Sequence, residues 1–213
     1  QTSERVGNMR TQQLMGFALG YEMRSLERLV LENAQRPEAR QDAYLNKNDE
    51  HLPSGFLDLT RTSGRYQIVA LLDTNGRQLR AIRDGEFATA AEDARFNRAA
   101  APLLAKIRRG KGSAVGLIAA DGGVFIAAAA NIWPLAEDGD EIAEGQHPLV
   151  LVQAKRLTPS VATHMGNDLG LQDIRFGQIA AGRPSIRLSD VSGQIIGTLS
   201  WQPKKLEGPA LQG

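Results

Sequence analysis

Cysteine is absent from this chain of 213 residues, and histidine occurs only three times. Without cysteine the protein has no disulfide, no thiol nucleophile and no thiolate metal site. His51, His147 and His164 are far apart in the sequence, and none has the spacing of a metal ligand or a general base. We interpret each histidine as a surface or loop residue, and we expect no metal ion or other cofactor.

An excess of charge of one sign is also absent, as are long apolar runs. The 25 Lys and Arg residues are interspersed with 24 Asp and Glu residues, so no basic face predicts a nucleic-acid partner. No run of about 18 apolar residues is present that could span a membrane, and no signal peptide is visible. Because Gln1 begins abruptly in what reads as a running helix, we expect the chain to be a piece of a longer protein.

Sequence patterns that carry catalysis are missing as well. The chain has no G-x-S-x-G, P-loop, H-E-x-x-H or EF-hand motif. The acidic interval 137–141 lacks the alternating ligand spacing of calcium loops, so we interpret it as a solvated hairpin tip. A hydrolase with a dispersed site would have Asp42, Asp73 and Asp84 to draw on, without a paired base. We therefore expect a domain that is not an enzyme, with a secreted hydrolase as an alternative.

Three short apolar runs are the most ordered pattern in the chain. They cover 114–120, 124–132 and 149–154, and Asp121-Gly122-Gly123 separates the first two with a tight-turn signal. The polar, glycine-containing interval before the third run reads as a long exposed hairpin loop. The pattern predicts an antiparallel meander, which we interpret as the only part of the chain able to form the centre of a sheet.

Helical periodicity dominates the first 34 residues. One helical face carries apolar residues at spacings of four, four, three and four, namely Met15, Leu19, Met23, Leu26 and Val30. Leu14, Phe17 and Tyr21 are interpreted as widening this stripe. We predict a helix over 5–34 that packs on its own sheet. In the alternative, its N-terminal part also packs against a second copy of the chain, because a helix this long extends beyond a small domain.

The remaining predicted elements are shorter. Thr158 and Pro159 predict a helix start with Thr158 as the N-cap residue, and another helix is predicted over 92–108. Further strands are predicted at 66–73, 77–83, 173–176, 185–190 and 194–201. Antiparallel hairpins with helices gathered at one end or face of the sheet predict an α+β fold.

Polar and aromatic side chains at strand ends point to a ligand site. Asn131 and Trp133 end one strand of the meander, and Lys155 and Arg156 end the next. We interpret these ends as adjacent, so that an aromatic ring, an amide and two cations face one small anionic or polar ligand. With two residues from the start of the first strand, the candidate site comprises Arg65, Tyr66, Asn131, Trp133, Lys155 and Arg156. In the alternative, Trp133 belongs to the core and the cations to the rim.

Several segments together resemble a known family. They are 41–44 (QDAY), 66–85 (YQIVALLDTNGRQLRAIRDG), 130–135 (ANIWPL), 149–176 (LVLVQAKRLTPSVATHMGNDLGLQDIRF) and 192–203 (SGQIIGTLSWQP). In this order they resemble the fourth type of CHASE sensory domain, the extracytoplasmic input module of bacterial membrane-bound diguanylate cyclases and cyclic-di-GMP phosphodiesterases. The family often has tryptophan and a second acid before the D-A-Y triplet, where this chain has Arg40-Gln41-Asp42. Tyr44 of that triplet joins the candidate ligand site.

The resemblance implies a PAS-like or Cache-like antiparallel sheet with a long N-terminal helix and connecting helices. It also implies a periplasmic sensor domain over 1–203 of an inner-membrane protein. Within it lie a signalling helix (1–36), a sheet core (65–157) and a C-terminal helix and hairpin (158–203), followed by a linker towards a membrane helix (204–213). GGDEF or EAL enzymatic domains would lie in the cytoplasm, and the membrane would be met only through flanking helices absent from this chain.

The resemblance also implies a mechanism. A small molecule, which the sequence does not identify, would displace the long helix against its mate in a homodimer and so regulate the synthesis or breakdown of cyclic-di-GMP. A ligand-free structural dimerisation domain of a membrane signalling protein is the alternative.

Overall fold

The computed structural model describes residues 2–44, 66–108, 112–134, 147–177 and 182–202. The helices of this part of the chain are α1 (Thr2–Gln35), α2 (Pro37–Tyr44), α3 (Ala94–Arg108) and α4 (Pro159–Asn167). The strands are β1 (Ile68–Leu72), β2 (Gln78–Arg83), β3 (Glu86–Phe87), β4 (Ser113–Ala120), β5 (Gly123–Ile132), β6 (Leu149–Arg156), β7 (Gln172–Phe176), β8 (Ser185–Ser189) and β9 (Ile195–Gln202). The predicted helices and strands agree with these bounds to within about three residues.

The chain divides into two compact units. The larger unit comprises Glu22–Leu157 and Asp190–Gln194, and the smaller comprises Gln1–Tyr21, Thr158–Ser189 and Ile195–Gly213. Helix α1 therefore contributes its first part to the smaller unit and its remainder to the larger one. Residues 203–213, which include the predicted linker, lie outside the described residues.

The larger unit contains a six-stranded antiparallel sheet in the order β3-β2-β1-β6-β5-β4. The predicted meander of β4, β5 and β6 is present, but the interpretation that it alone forms the centre of the sheet is wrong. Strand β4 lies at an edge, and β1 pairs with both β2 and β6. All five residues of β1 are buried, and a strand that is apolar on both faces is stabilised by a place inside the sheet.

Helices cover both faces of this sheet. On one face α3 buries its apolar side, including Phe96, whose ring meets that of Phe125 edge-on at 5.8 Å between centroids. On the other face α1 contacts the sheet through a hydrogen bond of 2.9 Å between Ser113 Oγ and Glu27 Oε1. The expectation that the helices gather at one end or face is therefore wrong. Strands β5 and β6 are buried along most of their length on both sides, so each face needs cover.

Strand β6 shows this two-sided packing clearly. The apolar cluster under α3 includes Val150, Val152 and Ala154 of this strand. The odd-numbered residues of β6 face α1, where the amide of Asn33 donates to Gln153 Oε1 at 3.1 Å. Both amide side chains are almost fully buried. The strand therefore joins the two helical layers of the larger unit.

Helix α1 has the predicted apolar stripe. Of its five predicted members only Met23 is partly exposed, and Met15 and Val30 are fully buried. The interpretation that Phe17 and Tyr21 widen the stripe is wrong, because they are 70% and 65% exposed. At 100° per residue they lie on the opposite side of the helix. The helix ends before Pro37, since the residue before a proline is disfavoured in helical conformation.

The smaller unit contains a separate three-stranded sheet in the order β7-β9-β8. Helix α4 begins as predicted: Thr158 is its N-cap, and Thr158 Oγ1 accepts a hydrogen bond of 3.2 Å from the backbone N–H of Val161. In the closing G-T-L-S-W segment, Trp201 is fully buried and its Nε1 donates to Thr11 Oγ1 at 3.4 Å. This tryptophan is therefore a core residue of the smaller unit.

Candidate functional site

A pocket of about 690 Å³ lies in the larger unit, at one end of the sheet face that α3 covers. Three segments supply most of its walls: the turn between β1 and β2, the last turn of α3, and the strand ends where β5 stops and β6 begins. The lining residues are Asp73, Thr74, Asn75, Leu104, Ile107, Arg108, Gly112, Asn131, Trp133, His147, Pro148 and Val150.

The local sequence explains why these segments meet. The D-T-N-G turn is closed by Asp73, whose Oδ1 accepts hydrogen bonds of 2.9 Å from the backbone N–H groups of Asn75 and Arg77. Gly76 has the positive φ of 82° that this turn requires. Because β1 pairs antiparallel with β6, with Leu72 opposite Val150, the turn lies beside the start of β6.

The pocket combines apolar walls with a few polar groups. Leu104, Ile107 and Trp133 offer apolar and aromatic surface, while Asn131 carries an amide and Arg108 a guanidinium. A guanidinium binds a carboxylate or phosphate through two parallel N–H groups, and an amide both donates and accepts. Small-molecule sites have this composition. Within the described residues, no group of three or more His, Asp or Glu side chains is arranged to hold a metal ion.

Two of the predicted site residues come together in this pocket. Asn131 and Trp133 both line it, from the end of β5 and the residue just beyond it. Trp133 is partly buried and faces the cavity, so it differs from the fully buried Trp201. That a ligand binds there remains a prediction.

Lys155 and Arg156 lie elsewhere, and the interpretation that their strand end adjoins that of Asn131 is wrong. In an antiparallel pair the end of one strand meets the start of the next, so Asn131 pairs with Val150 while Arg156 pairs with Phe125. Arg156 is six positions after Val150 along the strand, which amounts to about 20 Å at 3.3 Å per residue. The two cations are therefore at the opposite end of the sheet.

The two cations also point to opposite faces and have partners within the larger unit. Lys155 Nζ is 3.6 Å from Glu22 Oε2 on α1. The guanidinium of Arg156 lies over the ring of Phe125, 5.7 Å from its centroid, and donates to the backbone carbonyl of Asp121 at 3.4 Å. These contacts make both side chains structural in this conformation.

The other residues predicted for the ligand site also lie apart from one another. Tyr66 is buried just before β1, at the same end of the sheet as Arg156. Arg65 lies outside the described residues. Tyr44 is at the pocket end but does not line the pocket: its hydroxyl donates to the carbonyl of Ile132 at 2.7 Å and accepts from the N–H of Leu149 at 2.9 Å.

Sequence reasoning missed the α3 side of the pocket and His147. Arg108 and its neighbours Leu104 and Ile107 were interpreted only as parts of a helix, and His147 only as a loop residue. A signal was available in the antiparallel order itself, because the turn after β1, the end of β5 and the start of β6 must share one end of the sheet.

A family model of the CHASE4 domain matches residues 18–177, about three quarters of the chain. The chain belongs to the CHASE4 domain family. The family resemblance inferred from the sequence is thus confirmed, and CHASE4 domains are sensing domains outside the cytoplasm that are not catalytic. A search of curated protein sequences returns no match.

One solved structure supports the fold of this CHASE4 domain. The periplasmic domain of LuxQ from Vibrio cholerae aligns with a TM-score of 0.57 at 10% identity, covering 92% of this chain and 99% of that one. A second structure of the LuxQ periplasmic domain gives a TM-score of 0.49 at 9% identity, covering 94% and 98%. The α+β fold class, with a long N-terminal helix and an antiparallel sheet, is confirmed. None of the described helices is both long enough and apolar enough to span a bilayer.

Proposed function

We propose that this CHASE4 domain is the periplasmic input domain of an inner-membrane signalling protein. It binds a small organic molecule in the pocket beneath α3 and controls the synthesis or breakdown of cyclic-di-GMP in the cytoplasm. The observation that carries the proposal is the pocket where Trp133, Asn131 and Arg108 meet at one end of the sheet.

The chemistry of the pocket points to the class of ligand. A cavity of about 690 Å³ is within the range that holds small organic molecules. The apolar body of such a molecule would lie against Trp133 and Ile107. Its carboxylate, phosphate or other polar group would bind Arg108 and Asn131. We therefore expect organic anions or polar metabolites with an apolar portion.

The proposed output rests on the family motifs in the sequence. The K-R-L, D-I-R-F and G-T-L-S-W segments resemble those of CHASE4 domains joined to cyclic-di-GMP enzymes. The periplasmic origin of the LuxQ domain supports the proposed location. A ligand shifts an equilibrium between two arrangements only by the difference in its affinity for them. Binding at the pocket would therefore act by favouring one arrangement of the sheet and its helices.

The first part of α1 offers a surface for a second copy of the chain. Val6, Met9, Phe17 and Tyr21 are 58–70% exposed and lie on one side of the helix. An apolar strip of this kind is stabilised when it is covered. We propose that it packs against the same strip of a partner chain, so that a displacement of α1 alters the pairing of the cytoplasmic domains.

Ligand binding is tested by screening the purified domain for thermal stabilisation against a set of organic acids, amino acids and phosphate esters. Compounds that stabilise the domain are then titrated by calorimetry into the wild type, Trp133→Ala and Arg108→Gln. Two matched controls exist: Lys155→Ala, from the other end of the sheet, and Arg98→Gln, an exposed arginine earlier on α3. We expect both pocket variants to weaken binding at least about tenfold, the value of one lost charge-assisted hydrogen bond or aromatic contact.

Equal affinity in all five proteins would overturn the assignment of the pocket. The output is tested separately by producing the full-length protein in a bacterium and measuring cellular cyclic-di-GMP with and without the compound. We expect a change in the wild type that Trp133→Ala removes. A full-length protein that leaves cyclic-di-GMP unchanged in both states would contradict the proposed output.

A further inference from the structure

The hydroxyl of Tyr44 connects the backbones of β5 and β6 at the point where the two strands separate. It donates to the carbonyl of Ile132 at 2.7 Å and accepts from the N–H of Leu149 at 2.9 Å. Ile132 and Leu149 are the last pair of the β5–β6 ladder. The carbonyl of His147 is a second, longer contact at 3.4 Å. A hydroxyl has one proton to donate, and the shorter distance assigns it to Ile132.

Each strand residue that Tyr44 holds is next to residues of the pocket. Ile132 precedes Trp133, and Leu149 lies between Pro148 and Val150, all three of which line the cavity. Tyr44 itself is not among the residues that line the cavity, so it reaches these backbone groups from outside the pocket. The tyrosine thus contacts the frame of the pocket without touching the cavity.

We infer that Tyr44 is a positioning residue of the pocket: its hydroxyl fixes the two strand ends that carry Trp133, Pro148 and Val150, and ties them to α2. The inference rests on the proposed function for the ligand, although its structural part concerns the free domain. Helix α2 follows α1 after the single residue Arg36, so the same hydrogen bonds join the pocket to the helical layer.

The surroundings of Tyr44 favour this role at every ordinary pH. Burial raises the pKa of the Tyr44 phenol above its usual value of 10.0, against the opposing effect of the hydrogen bond from Leu149. The group therefore stays protonated and keeps its donor for Ile132. Tyr44→Phe removes the oxygen and leaves the ring, which isolates the hydrogen bonds from the packing.

The experiment uses the domain labelled with 5-fluorotryptophan, whose two tryptophans give two fluorine NMR signals. Trp133 reports on the pocket, and Trp201, in the smaller unit, serves as an internal reference. In Tyr44→Phe we expect the Trp133 signal to shift or broaden while the Trp201 signal stays in place. We also expect the Leu149 amide to exchange with deuterium at least about tenfold faster, since it loses its acceptor.

Two controls separate positioning from a general loss of stability. Tyr66→Phe removes the same atom from a buried tyrosine at the other end of the sheet and should change neither signal. Ile82→Val lowers stability at a buried site on β2, away from the pocket, and should leave Trp133 unchanged. A Trp133 signal that is the same in Tyr44→Phe and wild type would overturn the inference, as would an equal shift in Ile82→Val.

A ligand arm uses 8-anilinonaphthalene-1-sulfonate, which has an apolar aromatic body and an anionic group. Its binding is followed only through the Trp133 signal, so that dye bound to other apolar surface does not count. We expect about tenfold weaker binding in Tyr44→Phe than in wild type or Tyr66→Phe. If the dye leaves Trp133 of the wild type unchanged, the proposed binding chemistry fails, and the comparison of free proteins still decides the role of Tyr44.

Discussion

Arg83 on β2 holds the buried carboxylate of Asp93 just ahead of α3. Its Nε and Nη2 both reach Asp93 Oδ1, at 2.8 Å and 2.7 Å, and its Nη1 reaches Asp121 Oδ2 at 2.9 Å. The side chain of Asp93 is 1% exposed and that of Arg83 is 25% exposed. The guanidinium of Arg83 therefore connects strand β2 to the segment just before α3 and to the β4–β5 turn.

Replacing this arginine should destabilise the larger unit strongly. Arg83→Met leaves Asp93 buried without a cation, which costs about 2–4 kcal/mol after allowance for the partial exposure of Arg83. The loss is measured by urea unfolding followed through the fluorine NMR signal of 5-fluorotryptophan at Trp133, which is separate from that of Trp201. Arg77→Met, at an exposed arginine just before the same strand, is the control and should change stability by less than about 0.5 kcal/mol. Equal losses in the two variants would contradict a special role for Arg83.

Gly116 on β4 should not tolerate even a methyl group. A Cβ at this position would overlap Cγ2 of Val191, whose backbone N–H also donates to the carbonyl of Leu117 at 3.2 Å. Gly116→Ala should therefore cost about 1–3 kcal/mol through overpacking. Adding Val191→Ala should recover part of that loss, and Gly112→Ala, which has open space around it, is the control. Additive losses in the double variant would mean that the two side chains do not meet.

Asp173 should make the smaller unit sensitive to acid. Hydrogen bonds from Arg175 and then from Arg183 lower the pKa of its carboxyl below the usual value of 3.8. A lowered pKa in the folded state means that the stabilisation is present above the unfolded-state value and is lost as the pH falls through the folded-state value. Asp173→Asn should thus be less stable than wild type at pH 7, and the gap should close below about pH 4.

The asparagine variant suits this test because Asp173 has a φ of 48°, and asparagine tolerates that left-handed conformation. Thermal unfolding between pH 2.5 and 7 measures the gap. A difference between the two proteins that is constant across this range would show that the charge of Asp173 does not contribute.

The exposed strip on α1 should determine the oligomeric state. Phe17→Glu combined with Tyr21→Glu places two charges on the apolar surface proposed to meet a second copy, and should weaken dimerisation at least about a hundredfold. Sedimentation equilibrium measures the dissociation constant. Phe87→Glu, at a phenylalanine of similar exposure on β3, is the matched control. The same monomer fraction in wild type and both variants would exclude the strip from the interface.

Local chemistry made most of the secondary structure predictable. The turn at Asp121 and Gly122, both with positive φ, marks the boundary of β4 and β5, and Thr158 marks the start of α4. The order of the strands in the sheet was harder to predict from the sequence. The insertion of β1 beside β6 depends on pairing between residues about 80 positions apart, for which the sequence has no local signal. The predicted α+β class was nevertheless correct, because it depends on which helices and strands are present and not on which strands pair with each other.

The candidate site was predictable only in part, for a geometric reason. Asn131 and Trp133 were predicted because an amide and an indole follow each other closely at the end of the apolar run of β5. Lys155 was wrongly grouped with them because the C-terminal ends of β5 and β6 were taken to be neighbours. In an antiparallel pair these two ends lie at opposite ends of the sheet. Arg108 was missed because the spacing of apolar residues in α3 does not indicate which end of the sheet the last turn of this helix contacts.

Strand β6 has a mechanical consequence for the whole larger unit. Val150 and Gln153 are three residues apart on a backbone held by strands on both sides, yet one faces the cavity and the other faces Asn33. A movement of β6 that enlarged the cavity at Val150 would also move the backbone of Gln153, and with it the hydrogen bond to Asn33. The floor of the pocket and a buried contact of α1 thus belong to one short segment of backbone.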